Sequence, residues 1–181
     1  GSPVFGGAGV PFGAPGTDFE GSRKFNKFTP RASLTFKPDS DTTLYASFSQ
    51  GFKGGGFQND ASNAFAAATP YNPETVKNTE VGFKTELFDR TVRWNSAIFY
   101  MKYTDLQVQQ TLASCLCNVI SNAPGATIKG VETDIQYAPN HWFRAWASGS
   151  YVDAKYDQFV FAGVNNSGHE MQRTPKYQGA V

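Results

Sequence analysis

The chain has 181 residues, enough for one domain with a sizeable core, and its 16 Lys and Arg against 15 Asp and Glu leave a net charge of +1. That balance excludes the strong charge bias of a nucleic-acid binder or of a partner for acidic ligands. Aromatic residues at 15%, 18 Gly and only two Met fit an all-β protein, and the apolar runs are too short and broken for a transmembrane helix. A barrel strand alternates in character and averages to an ordinary hydropathy, so a membrane location stays open.

Residues 1–27 are rich in Gly and Pro and carry no usable periodicity, which predicts a loop. A strand is predicted over about Pro30–Lys37, with Ala32, Leu34 and Phe36 facing one way and Arg31, Ser33 and Thr35 the other. Pro38-Asp39-Ser40-Asp41 is a turn, because Pro fixes φ and Asp bonds its own backbone. The next strand, about Thr43–Lys53, sets Leu44, Ala46, Phe48 and Phe52 against Tyr45, Ser47 and Ser49. After a Gly- and Ala-rich segment, 54–73, comes a hairpin with its turn at Asp89-Arg90. Its first arm places Val81, Phe83 and Leu87 opposite Glu80, Lys84 and Glu86, and its second runs from Thr91 to Leu112 without Gly or Pro. Such a length far exceeds the typical strand of about 5–6 residues in soluble proteins.

An irregular segment, 113–126, then carries both cysteines. A strand over Thr127–Ala138 sets Val131, Ile135 and Tyr137 against Glu132, Asp134 and Gln136. A turn at Pro139-Asn140 leads into Trp142–Asp157, where Phe143, Ala145, Ala147 and Tyr151 oppose Arg144, Trp146, Ser148 and Ser150. The last long connection, 158–174, reaches the start of a further strand at Pro175–Val181.

Connections therefore alternate strictly between short (38–42, 89–90, 138–141) and long (54–73, 113–126, 158–174). Outer-membrane barrels have this pattern, with short periplasmic turns on one rim and long extracellular loops on the other. A soluble sandwich also spaces antiparallel strands regularly, but its loops need not alternate and its strands are shorter. The expectation is an all-β antiparallel transmembrane β-barrel segment of six to seven strands. Aromatics near the strand ends, Tyr45, Phe52, Tyr103, Tyr137, Trp142 and Tyr156, fit interfacial girdles.

Several stretches also resemble one family. Phe28-Thr29-Pro30-Arg31-Ala32-Ser33-Leu34 is similar to a strand opening of TonB-dependent outer-membrane receptors. Leu44 to Lys53, LYASFSQGFK, resembles the strand that in those receptors runs into a Gly-rich loop. Tyr71-Asn72-Pro73-Glu74 followed by Asn78-Thr79-Glu80-Val81-Gly82-Phe83-Lys84 resembles another of their signatures. Gly130-Val131-Glu132, Gly149-Ser150-Tyr151 with Asp153-Ala154, and Arg173-Thr174-Pro175 follow in the family's order. The resemblance spans roughly Phe28 to Pro175.

The resemblance implies energised import of a scarce nutrient: a ferric siderophore, another metal complex, a vitamin or a glycan. Family members also carry a plug domain, a TonB-binding segment and a barrel of about 22 strands. The expectation is thus an internal piece of a longer receptor, residues 1–27 being a loop and 28–181 a partial barrel without the plug and the remaining strands. Expected partners are outer-membrane lipid and lipopolysaccharide, the plug and remaining strands, TonB through a segment outside this chain, and a small-molecule or metal-chelate ligand. No nucleic acid and no cofactor are expected. A passive or structural barrel without energy coupling is the alternative.

With the apolar face toward lipid, Arg31, Lys37, Glu80, Lys84, Glu86, Arg93, Glu132, Asp134 and Arg144 point into the lumen, where charges stay hydrated and can pair across strands. Glu132 and Asp134 share a face about 7 Å apart, a spacing open to glycosidase chemistry. A solvated wall explains the pair better. With no Gly-x-Ser-x-Gly and no clustered Ser, His and Asp, no catalytic residue is expected. Cys115 and Cys117 lie in an expected extracellular loop and favour a disulfide over a metal site, because His141 and His169 are far along the chain and no zinc spacing exists. Gly54-Gly55-Gly56 follows a strand but opens no helix, so it cradles no phosphate. Phe57, Phe65, Tyr71, Phe159 and Phe161 in the long connections are candidates for ligand contact or for loop self-packing.

Overall fold

The computed structural model describes residues 21–58, 70–112, 117–161 and 164–181. The chain forms two compact units, one from Gly1–Phe28, Phe52–Thr75 and Thr104–Pro124, the other from Thr29–Gly51, Val76–Tyr103 and Gly125–Val181.

The strands are β1 (Arg31–Phe36), β2 (Thr42–Lys53), β3 (Gly56–Phe57), β4 (Pro70–Tyr71), β5 (Glu74–Leu87), β6 (Val92–Leu112), β7 (Cys117–Asn140), β8 (Phe143–Gln158), β9 (Val160–Phe161), β10 (Val164–Asn165) and β11 (Tyr177–Ala180). One seven-stranded sheet runs in the order β1-β2-β5-β6-β7-β8-β11, following the chain with β3, β4, β9 and β10 left outside it, and is open at β1 and β11. Register is set by antiparallel pairs such as Leu34 with Ala46, Val131 with Tyr151 and Tyr177 with Tyr151.

Burial in this sheet does not follow hydropathy, and along β2 it is inverted. Along β2 the apolar Leu44, Ala46 and Phe48 are exposed while Tyr45, Ser47 and Ser49 between them are half-buried. Ile98, Leu34 and Val81 are likewise 65%, 74% and 56% exposed, and among the described residues the buried apolar side chains are Leu106 and four alanines. Leaving such surface in water forgoes about 1.5–3 kcal/mol per large side chain. The face belongs against an apolar solvent. It is also internally tidy: Trp94 stands edge-on to Phe83 at 4.9 Å, and its indole N–H donates to Thr133 Oγ1 at 2.8 Å. Lipid offers no partner to an indole, so the sheet supplies one.

The first unit holds β3 paired with β4, and side-chain amides act there as substitute backbone. Gln58 donates to the Ile120 carbonyl at 2.6 Å and accepts from its N–H at 2.8 Å. Asn122 makes the same two-way pairing with Asn72, at 3.0 and 2.7 Å, and also donates to the Asp105 carbonyl at 2.7 Å. Asp105 takes φ 54° within β6, and Asn122 satisfies its carbonyl.

The boundaries at both ends of β7 differ from the sequence reading. β7 starts at Cys117, so residues 117–126, expected as loop, are strand. Asn122-Ala123-Pro124-Gly125 reads as a breaker, yet a register shift at Gly125/Ala126 absorbs it, and Ala123 and Ala126 are fully buried. The turn after β7 falls on His141-Trp142 rather than Pro139-Asn140, because Asn140 Oδ1 accepts from the N–H groups of Trp142 and Phe143 at 3.0 Å. The β5–β6 turn takes the left-handed conformation at Phe88, Asp89 and Arg90 (φ 53°, 52° and 66°) without a Gly or Asn. Arg90 holds it, bonding Asp41 at 3.0 Å and Glu86 at 3.2 Å. The guanidinium also keeps the Asp41 carboxyl below its ordinary pKa of 3.8.

Substituting Asp89→Gly, which adopts φ 52° without strain, is expected to raise stability by up to about 1 kcal/mol, and Asp89→Val to lower it by about 1–2 kcal/mol. Urea unfolding of the receptor that carries this segment, with tryptophan fluorescence as the probe, measures both.

Candidate functional site

Alternation along each strand puts the charged side chains of the sheet on the face opposite the apolar one. Tyr45, Lys84, Asn95, Glu132, Asp134, Ser148 and Ser150 line a cavity of about 550 Å³ there. Asp134 accepts two bonds from the Asn95 amide, at 2.9 and 3.0 Å, so its carboxylate is already engaged. Glu132 and Lys84 share the cavity with it. Glu80 is reached from the neighbouring strand by the Tyr45 hydroxyl, which donates at 2.8 Å.

That last bond depends on a glycine. A Cβ on Gly82 would stand 2.6 Å from the Tyr45 hydroxyl and 2.7 Å from the Ser96 carbonyl. Gly130 is used in the same way: a Cβ there would meet the Phe99 ring at 2.6 Å and the Tyr151 carbonyl at 2.4 Å. In both places a missing side chain lets an aromatic from the next strand lie across the polar face. Tyr45 is therefore a wall residue and not part of an interfacial girdle, which corrects the sequence reading of it.

Nearer the short turns, Glu86 binds Arg93 at 2.8 Å and Arg90 at 3.2 Å. Arg31 sits on the edge strand β1 opposite Ser49, and Arg144 near the start of β8; both are exposed and neither joins the cavity. Lys37 falls just beyond β1 and is exposed. Thus Lys84, Glu132 and Asp134 come together, Glu86 and Arg93 form a separate pair, and Arg31 and Arg144 stand apart.

Of the loop candidates, Tyr71 packs its ring over Gly56, where a Cβ would meet the hydroxyl at 2.5 Å, and Phe57 is its neighbour in the same hairpin. Phe159 stacks against Tyr156 with ring centres 5.0 Å apart. Phe65 and Cys115 lie outside the described residues, as do the side chains of Phe161 and Cys117. Among the described residues no group of three or more His, Cys, Asp or Glu could hold a metal ion. The sequence reading missed Asn95, Phe99 and the role of Tyr45; the signal for two of them was a glycine in mid-strand.

Residues 6–181 match the family of TonB dependent receptor-like β-barrels. The chain belongs to that family. Members sit in the bacterial outer membrane, and this open all-β sheet has the corresponding fold. Among solved structures the chain is similar to the ferric yersiniabactin uptake receptor FyuA of Yersinia pestis, with a TM-score of 0.64 and 23% identity over 82% of this chain and 21% of that one. It is also similar to the alcaligin outer-membrane receptor FauA of Bordetella pertussis (0.58, 21% identity, 87% of this chain and 26% of that one). The ferric preacinetobactin receptor BauA of Acinetobacter baumannii gives 0.60 and 21%, over 83% and 22% of the two chains. No curated protein sequence matches. The chain thus spans about a quarter or less of the length of these receptors.

In a TonB-dependent receptor-like barrel the two faces meet different solvents, and substitutions should separate them. Ile98→Arg on the apolar face is expected to cost about 2–4 kcal/mol in a bilayer, whereas Ser148→Arg on the polar face should cost little. Urea titration of the receptor refolded into lipid vesicles reads both.

Proposed function

We propose that this chain is a wall-and-loop segment of a TonB-dependent receptor that imports a scarce nutrient across the outer membrane by energised transport. The observation that carries this reading is the family match over residues 6–181, on a sheet with one charged face and one exposed apolar face. The short turns face the periplasm and the long connections face outward. Residues 28–181 supply wall, and 1–27 a loop.

Arg31, Glu80, Lys84, Glu86, Arg93, Glu132, Asp134 and Arg144 then face the lumen and, through it, the plug domain supplied by the rest of the receptor. Solvated ion pairs of this kind contribute about 0.2–1 kcal/mol each. Several together hold a plug, and few enough let it shift when TonB pulls. Phe57, Phe65, Tyr71, Phe159 and Phe161 belong to connections that approach the ligand, with loop packing as their other role; Cys115 and Cys117 close a loop disulfide. Lipid and lipopolysaccharide surround the apolar face.

Two of the solved structures to which this chain is similar are receptors named for ferric ligands, which makes a ferric siderophore the first cargo to test, ahead of other metal complexes, vitamins and glycans. The test is uptake of radiolabelled ferric chelates by cells with and without the receptor, before and after the proton gradient is collapsed. Receptor-dependent uptake that stops with the gradient is expected. Uptake that persists would establish a passive, porin-like channel and overturn the energised reading.

A further inference from the structure

The chain entering β1 and the chain leaving β2 stay together past the ends of the strands. The Gln50 N–H donates to the Pro30 carbonyl at 2.9 Å, and further along the Phe25 ring lies on Gly55, where a Cβ would stand 2.8 Å from it. Lys27 and Lys53 fall between those two contacts, on the two facing stretches. Arg23 completes the group, its guanidinium carbon 5.2 Å from the centre of the Phe25 ring. Lys24 adjoins it in the sequence.

These cations are positioned but unpaired. Phe25 is half-buried, whereas Arg23, Lys24, Lys27 and Lys53 are all exposed. Among the described residues the ion pairs all join other side chains, and Glu74, a carboxylate of the same unit, accepts the Gln107 N–H at 2.8 Å. Like charges on facing extended chains repel one another, and no described carboxylate offsets them here. A guanidinium laid over an aromatic ring keeps the N–H donors at its edge free for a planar anion. Room for one exists beside Lys53, because a Cβ on Gly54 would meet nothing within 4 Å.

We propose that Arg23, Lys27 and Lys53 form a site for the negatively charged groups of the cargo, so that the receptor selects an anionic ferric chelate, of catecholate or carboxylate type, over a neutral hydroxamate one. Charge complementarity identifies the occupant, and Lys24 adds to the field that draws it in. The site stands at the root of the long connections 1–27 and 54–73, beside the ligand candidates Phe57 and Tyr71 in the same unit. It rests on the transport reading above and names the charge of the cargo.

The test uses the full-length receptor in mild detergent, with quenching of its tryptophan fluorescence as the reading of affinity. The probes are two anionic chelates, ferric tris-catecholate and ferric citrate, a neutral ferric trihydroxamate, and inorganic phosphate. The unchanged receptor is expected to bind one of the anionic chelates about tenfold or more tightly than the neutral one, with the preference shrinking as salt rises. Lys27→Gln with Lys53→Gln should weaken that chelate about tenfold or more. Lys27→Arg with Lys53→Arg should retain it and controls for folding. Undiminished binding by the Gln variant, or a preference of the unchanged receptor for the neutral chelate, would overturn the site. Displacement of the chelate by inorganic phosphate at comparable concentration would also overturn it, in favour of a free-anion site. Uptake by cells separates the two readings. Energised uptake of the neutral chelate alone would overturn the charge selection and leave the transport reading standing, whereas uptake of no chelate would overturn both.

Discussion

Hydrocarbon offers no hydrogen bonds, so every backbone N–H and C=O that enters it must find a partner within the protein. Consecutive long strands are one of the few ways to meet that demand, and β5, β6, β7 and β8, of 14, 21, 24 and 16 residues, meet it by pairing in sequence order. The same demand explains the inverted alternation, since once the backbone is satisfied the side chains only have to match the solvent on each side. Where the ladder is interrupted, side chains complete it. Gln58 and Asn122 bond both backbone groups of the residue they face, and Asn122 also covers the carbonyl of Asp105.

The polar face is a second consequence. Charges on a hydrated wall need not be buried or balanced one by one, which is why Glu132 and Lys84 can share a cavity without a direct pair while Glu86 binds two arginines. What shapes this face is the close approach of strands at Gly82 and Gly130, where Tyr45 and Phe99 lie across the gap. Two of the stretches that resemble the family, EVG at 80–82 and GVE at 130–132, thus contain a glycine for a steric reason as well as a carboxylate.

Much of this was legible because period two is written directly into the residues. Leu44, Ala46 and Phe48 against Tyr45, Ser47 and Ser49 name the faces without a structure, and the alternation of connection lengths names the two rims. The faces of Glu80, Lys84, Glu132 and Asp134 were legible for that reason. Their partners were not. Tyr45 with Glu80 and Asn95 with Asp134 are set by register between strands, which a single strand's pattern does not contain. The start of β7 was hidden because Pro124 and Gly125 act as breakers in isolation and as part of a bulge in a sheet. The left-handed turn at Phe88-Asp89-Arg90 was hidden because its stability comes from Arg90 reaching Asp41, on another turn.

The central claim is that the apolar face of this sheet meets lipid and the charged face meets water. Spin labels placed one at a time at residues 44–49 of the full-length receptor in lipid vesicles test it most directly, by comparing relaxation by oxygen, which enriches in lipid, with relaxation by a water-soluble nickel chelate. Oxygen access is expected to peak at Leu44, Ala46 and Phe48 and nickel access at Tyr45, Ser47 and Ser49. A profile without this two-residue period, or with its phase reversed, would contradict the account.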